Sequence, residues 1–148
     1  MTERRYVKPS WGDRLFNGAV ALLAGLGVSL YGSRILAVRG RRSGEWRTVP
    51  VNLLAHDGAR YLIAPRGETE WVRNLRARGG GELRLGRRSE PFRGVELSDA
   101  EKPALLRAYL ERWGFEVGRF FPGVDAGSPD ADLLRVAAGY PAFRIEQP

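Results

Sequence analysis

Two β-type segments of this sequence are separated only by the short turn His56-Asp57-Gly58. An Asp-Gly pair between two such segments is a strong signal for a tight β-hairpin. Residues 46–55 and 60–64 are therefore expected to pair as antiparallel neighbours. Pro50 interrupts the first segment, and because proline cannot donate to a sheet ladder, it marks an edge position or a bulge.

Four further short strands are predicted from apolar runs that are bounded by turn residues. They cover residues 34–38, 82–85, 92–97 and 143–145. A polar turn at residues 86–89 joins the fourth strand of the chain to the fifth. Six short strands with interspersed helices predict an α+β domain whose architecture is a small antiparallel barrel with flanking helices.

Helices are predicted where a capping residue precedes apolar residues at helical spacing. Thr69 caps a short helix, and Ser128-Pro129 starts another. Ser98-Asp-Ala-Glu101 is a capping box, which opens a helix that runs to about Trp113.

The N-terminal stretch 15–33 carries no charge and barely reaches the length of a bilayer span. Glycines, serines and Asn17 dilute its apolar character, and no small-residue cleavage signature follows it. We therefore predict one domain over residues 1–148, in which a helical segment (1–33) packs on a barrel domain (34–148). A cytoplasmic location is expected, with peripheral membrane contact through the N-terminal helix as the alternative.

Reactive side chains are scarce in the 148 residues, because the chain has no cysteine and a single histidine, His56. Disulfides, thiolate zinc sites, cysteine nucleophiles and multi-histidine metal sites are excluded, and no metal site is predicted. Any chemistry must therefore be carried by something other than a reactive side chain.

Positive charge is concentrated in the middle of the chain. Residues 34–93 hold 14 arginines against six acidic residues, whereas residues 94–148 hold six basic against nine acidic residues. Guanidinium groups suit a phosphate or carboxylate partner, so the candidates are nucleic acid, an anionic membrane and a phosphorylated small molecule. Nucleic acid is disfavoured because the aromatic residues do not alternate with the arginines as a stacking platform requires.

The densest local signal is the turn Gly40-Arg-Arg-Ser-Gly44, which Arg47 follows at the start of the second strand. The glycines free the backbone to present N–H groups to an anion, and the arginines and the Ser43 hydroxyl add donors. The turn suits the phosphate of a ligand that lies along the second strand, although a solvent-exposed hairpin with stray arginines fits the composition equally well. The spacings of the P-loop and of the dinucleotide fingerprint are absent.

In order and spacing, the segments 40–44, 47–50, 56–58 and Trp71-Val-Arg-Asn-Leu-Arg76 resemble the deazaflavin-dependent nitroreductase family. The resemblance covers about residues 34–97, and the ending Phe143-Arg-Ile145 is also similar. It implies a split β-barrel that binds coenzyme F-420 and transfers hydride to a small electrophile, such as a quinone, a nitro compound or an activated alkene. An FMN-binding barrel of related fold and a non-catalytic deazaflavin carrier are the alternatives.

The resemblance also implies which residues bind the cofactor. The turn would face the phosphate, the second strand would lie along the cofactor, and the segments 63–66 and 70–74 would form the other walls. The implied set is Arg41, Arg42, Ser43, Arg47, Thr48, Val49, Pro50, Val51, Asn52, Ile63, Ala64, Pro65, Arg66, Glu70, Trp71, Val72, Arg73 and Asn74. No catalytic side chain is implied, because the cofactor itself provides the hydride.

Overall fold

Six antiparallel strands close into a barrel in the computed structural model, which describes residues 5–7 and 32–148. The strands are β1 (Ser33–Arg39), β2 (Trp46–His56), β3 (Ala59–Ile63), β4 (Gly80–Leu85), β5 (Arg88–Glu96) and β6 (Ala142–Glu146). Their order around the barrel is β1-β2-β3-β6-β5-β4. The α+β barrel predicted from the sequence is confirmed, whereas the predicted N-terminal helix falls almost entirely outside the described residues.

Strand β2 is shared between two neighbours. Residues 46–52 pair with β1, and β3 joins only from Leu53 onward. Pro50 pairs one-to-one with Ile35, so the ladder contains no bulge there. At Pro50, β2 has a neighbouring strand on one side only, so this part of β2 is an edge, as predicted.

The turns from β2 to β3 and from β4 to β5 are tight. Asp57 and Gly58 have φ angles of 48° and 76°, which are the left-handed values of a type I′ turn. The turn from β4 to β5 is shorter than predicted, because Leu85 pairs directly with Arg88 and leaves two residues between the strands.

Within the described part of the chain, three α-helices flank the barrel: α1 (Glu70–Arg78), α2 (Pro103–Val117) and α3 (Asp130–Val136). The capping box at Ser98 forms, but it opens a 3₁₀ turn, and α2 begins only at Pro103. The helix also continues past Trp113, because Val117 extends its buried apolar stripe. None of the helices within 5–7 and 32–148 is long and apolar enough to cross a membrane.

The apolar side chains form two cores. One fills the barrel and is covered by α1 through Val72 and Leu75. The other packs α2 and α3 against the outside of β2 and β3, with Trp113 fully buried at its centre. Residues from both cores contribute to the cavity described next.

Candidate cofactor site

A cavity of about 890 Å³ lies beside the barrel. Its walls come from β2, from the segment that follows β3, from the start of α1 and from the C-terminal end of α2. Residues 47–52 line it, and they belong to the stretch of β2 that lacks a second strand partner. The division of β2 between two neighbours therefore opens the barrel wall at this point.

Thirteen of the eighteen residues predicted to bind the cofactor line this cavity. They are Arg47, Thr48, Val49, Pro50, Val51, Asn52, Ile63, Ala64, Pro65, Arg66, Glu70, Trp71 and Asn74. The other five, Arg41, Arg42, Ser43, Val72 and Arg73, lie outside the lining. Val72 is fully buried in the barrel core, so its side chain faces away from the cavity.

The turn between β1 and β2 has a fixed backbone. Gly44 has a φ of 73°, which favours glycine, and a Cβ atom on Gly40 would lie 2.7 Å from the Ser43 Oγ atom. Arg39 donates to the Gly44 carbonyl at 3.0 Å, and Arg78 donates to the Gly40 carbonyl at 2.8 Å. The backbone conformation therefore favours glycine at position 44, whereas a Cβ at position 40 would require only the exposed Ser43 hydroxyl to move.

Much of the turn's hydrogen-bonding capacity is used within the protein. The N–H groups of Gly40, Gly44 and Glu45 donate to atoms of the turn itself. The Arg41 N–H donates to the Asn74 Oδ1 atom. An anion at this turn would therefore meet mainly the exposed residues Arg42 and Ser43.

Arg41 connects the turn to the cavity wall. Its guanidinium donates to Asn74 Oδ1 at 2.9 Å and to Glu70 Oε2 at 2.8 Å. Asn74 is buried and Glu70 is exposed, and both line the cavity. The hydrogen bond from Arg41 is the main cause that lowers the pKa of the Glu70 carboxyl below its usual value. Glu70 is therefore ionised at neutral pH, and Arg41 is paired before any ligand arrives.

The middle of the cavity is apolar with a few polar groups. Trp71 forms part of this wall and packs against Phe143 at a ring distance of 5.9 Å. The Oγ1 atom of Thr69, at the start of α1, is buried without a hydrogen-bond partner in the part of the chain that the structure describes. Arg66 lies over the Phe120 ring at 4.4 Å, and burial lowers its pKa.

A family model, that of the F420H(2)-dependent quinone reductases, matches residues 14–117 of the sequence. The chain belongs to this family. It is therefore an oxidoreductase that uses the deazaflavin coenzyme F-420, and membership implies a small-molecule acceptor of quinone type. The family resemblance, the cofactor and the enzyme class predicted from the sequence are confirmed.

Solved structures share the fold at low sequence identity. Atu2129 from Agrobacterium tumefaciens, of unknown function, is 16% identical over 88% of this chain with a TM-score of 0.58, and the match covers 54% of that protein. The F420-H2 dependent reductase FDR-A is 17% identical over 78% of this chain and 94% of its own, with a TM-score of 0.53. A FAD-binding protein from Mesorhizobium loti is 18% identical over 86% of this chain and 89% of its own, with a TM-score of 0.51. No curated protein sequence matches this chain at a significant level.

The cavity has the properties that F-420 requires of a family member. Its volume lies within the roughly 300–1,000 Å³ of small-molecule sites. Apolar walls suit the faces of a deazaflavin ring, and the buried Thr69 hydroxyl offers a hydrogen bond that residues 5–7 and 32–148 leave unused. Arg47 and Arg66 in the lining, with Arg42 on the neighbouring turn, suit an anionic tail.

One end of the cavity was missed by the sequence reasoning. Tyr109 and Glu116 line it from α2, two helical turns apart, and the nearby Asn52 amide on β2 lowers the pKa of both side chains against the larger effect of burial. A glutamate that shares a helix face with buried Tyr109 and Trp113 is a signal that could have indicated Glu116. Only the folded chain shows that this face meets β2.

Proposed function

We propose that this chain binds reduced F-420 in the cavity beside β2 and passes its hydride to a quinone. The observation that carries the proposal is the coincidence of a predicted residue set with one physical space. Thirteen residues chosen from a resemblance in sequence line one cavity of ligand size, although they come from three separate segments. A set of unrelated surface residues would not converge in this way.

The chain's own task is to bind, to orient and to exclude water. When bound, reduced F-420 supplies the hydride, so no side-chain nucleophile is needed. Val49, Val51 and Trp71 provide apolar surface that excludes water from the ring, and the Thr69 hydroxyl would fix the polar edge of that ring. Arg42 and its neighbours would hold the phosphate and acidic tail by charge-assisted hydrogen bonds.

A quinone is favoured over the other acceptors that the sequence left open, a nitro compound or an activated alkene. A quinone ring is flat and mostly apolar with two carbonyl oxygens at its edge. The end of the cavity near Phe120 and Val117 offers apolar surface, and Tyr109 and Asn52 offer polar groups beside it. This combination matches both parts of a quinone.

The test begins with the cofactor. F-420, FMN and FAD are titrated against the protein at one ionic strength, and protein fluorescence reports binding. Tighter binding of F-420, followed by quinone-dependent oxidation of its reduced form, supports the proposal. Equal or tighter binding of a flavin would favour a flavin-binding barrel. Binding of F-420 without turnover of any quinone, nitro compound or alkene would favour a carrier.

A further inference from the structure

The end of the cavity at the C-terminal part of α2 contains a polar cluster of three residues, Asn52, Tyr109 and Glu116. All three side chains line the cavity, and the Asn52 amide is near enough to Tyr109 and Glu116 to lower the pKa of each. Neither the family membership nor the sequence resemblance assigns a role to Tyr109 or Glu116. The cluster therefore needs an explanation of its own.

Tyr109 is held rigidly and remains protonated. Its ring packs at 5.1 Å from Trp113 and 6.2 Å from Phe121, and only 2% of the residue is exposed. Burial, together with the nearby Glu116 carboxyl, raises the pKa of the Tyr109 hydroxyl well above its usual value. Tyr109 is thus a fixed neutral group and a poor proton donor at neutral pH.

Glu116 is partly buried, and its environment favours the neutral acid. Burial raises the pKa of the Glu116 carboxyl, and the neighbouring Asn52 amide opposes this rise only in part. The other ionisable groups that line the cavity are Tyr6, Arg47, Arg66, Glu70 and Arg119. None of these is among the causes that shift the pKa of Glu116.

Two glutamates on the same cavity thus have opposite protonation tendencies. Arg41 lowers the pKa of Glu70, which keeps Glu70 ionised, whereas burial raises the pKa of Glu116. Carboxyl groups whose environments separate their pKa values in this way are typical of acid–base sites. Of the two carboxyl groups, Glu116 therefore holds a proton up to the higher pH and is the better candidate for a proton donor.

Resting on the proposed function, we propose that the Glu116 carboxylic acid donates the proton that completes reduction of the acceptor, and that Asn52 and Tyr109 hold it in position. A quinone becomes a hydroquinone when it gains one hydride, which carries two electrons, and one proton. The O–H bond of Glu116 breaks as the O–H bond on the quinone oxygen forms. The resulting carboxylate is only partly buried, so solvent can return its proton.

Glu116→Gln tests this role because it keeps the shape and an oxygen acceptor for Asn52 while it removes the acidic proton. Glu111→Gln is the matched control, since Glu111 lies on the same helix and is exposed. Affinity for F-420 should be the same within about twofold in both variants and in the wild type. In single turnovers with a quinone at pH 6, Glu116→Gln should react about 100-fold more slowly, and Glu111→Gln at the wild-type rate.

The pH dependence provides a second measurement. The wild-type rate should fall as the pH rises through the pKa of Glu116, and this decline should be missing in Glu116→Gln. Carbon-13 NMR titration of the glutamate carboxyl groups in the free protein should show one carboxyl, missing from the Glu116→Gln spectrum, that titrates well above about 4.3, the ordinary glutamate pKa. This readout needs neither cofactor nor turnover.

The outcomes separate the two proposals. If the wild-type protein fails to bind F-420 or to reduce any quinone, the proposed function is wrong, and the role of Glu116 in it falls as well. If the wild type binds and turns over but Glu116→Gln keeps its rate and pH profile, only the proton-donor role is overturned. An ordinary pKa for Glu116 in the NMR titration overturns that role too.

Discussion

Asn74 connects α1 to the turn between β1 and β2, so its removal should both destabilise the protein and loosen the site. Its Oδ1 atom accepts hydrogen bonds from the Arg41 N–H at 3.0 Å and from the Arg41 guanidinium at 2.9 Å. Asn74 is 4% exposed, which means that water cannot readily replace the lost acceptor. We expect Asn74→Ala to lower the free energy of unfolding.

The magnitude follows from the two hydrogen bonds. Loss of the acceptor for a partly buried backbone N–H costs about 1–2 kcal/mol, and loss of the contact to the guanidinium costs about 1 kcal/mol because Glu70 still binds it. The sum is about 2–3 kcal/mol, which for a chain of this size lowers the Tm by roughly 5–10 °C.

Urea denaturation followed by tryptophan fluorescence measures this change, and Asn74→Asp is the control. A carboxylate keeps an oxygen for both hydrogen bonds and places its charge beside Arg41, so Asn74→Asp should stay within about 1 kcal/mol of the wild type. The reasoning is refuted if Asn74→Ala unfolds at the wild-type urea concentration. It is also refuted if the two variants lose equal stability.

Two further predictions use matched pairs of variants. Arg42→Ala should weaken F-420 binding about 10–100-fold with little change in the single-turnover rate at saturation, whereas Arg87→Ala, on the exposed β4–β5 turn, should leave the affinity unchanged; fluorescence titration measures both. Gly81→Ala should cost about 2–3 kcal/mol of stability because its Cβ would lie 2.4 Å from the Ala37 carbonyl oxygen, and equal Tm values for variant and wild type would contradict this. Gly114→Ala, within α2 and with nothing within 4 Å of its Cβ, should instead stabilise the chain by up to about 1 kcal/mol.

Elements fixed by local chemistry could be predicted from the sequence. The hairpin turn at Asp57-Gly58 needs two residues with left-handed backbone angles, and aspartate followed by glycine is a residue pair that favours this conformation. The sequence predicted an antiparallel barrel but not the order of its six strands. That order includes the pairing of β1 with β4, which joins residues far apart in the chain.

The ends of strands and helices were harder to predict from the sequence, since they depend on contacts with other parts of the fold. Strand β5 begins at Arg88 because Arg88 pairs with Leu85 of β4. The turn between the two strands therefore has two residues rather than the predicted four. The capping box predicted at Ser98 does form, but α2 does not begin there. Pro103 has no N–H group and restarts the hydrogen-bond pattern.

Site residues that lie in contiguous segments could be predicted from the sequence, whereas site residues on a distant helix could not. Residues 47–52 and 63–66 are contiguous stretches that enter the cavity, so a matched sequence segment includes them correctly. The segment 70–74 was treated in the same way, but it is helical, and Val72 therefore turns into the barrel core. Tyr109 and Glu116 lie more than fifty residues after the end of β2 in the chain, and no local pattern connects them to that strand.

The excess of arginine in residues 34–93 overstates the positive charge that is available to an anionic ligand. Several of these arginines already form ion pairs within the protein. Among the described residues the pairs are Arg41–Glu70, Arg47–Glu45, Arg60–Glu90, Arg76–Glu68, Arg76–Glu96, Arg84–Glu82 and Arg93–Glu146. Each pair cancels charge locally, and screening limits what more distant arginines contribute. The electrostatic attraction for F-420 therefore comes from the cations nearest to the cavity, which are Arg42 on the adjoining turn and Arg47 and Arg66 in the lining. Binding should weaken with salt as expected for a few charges rather than for the whole excess.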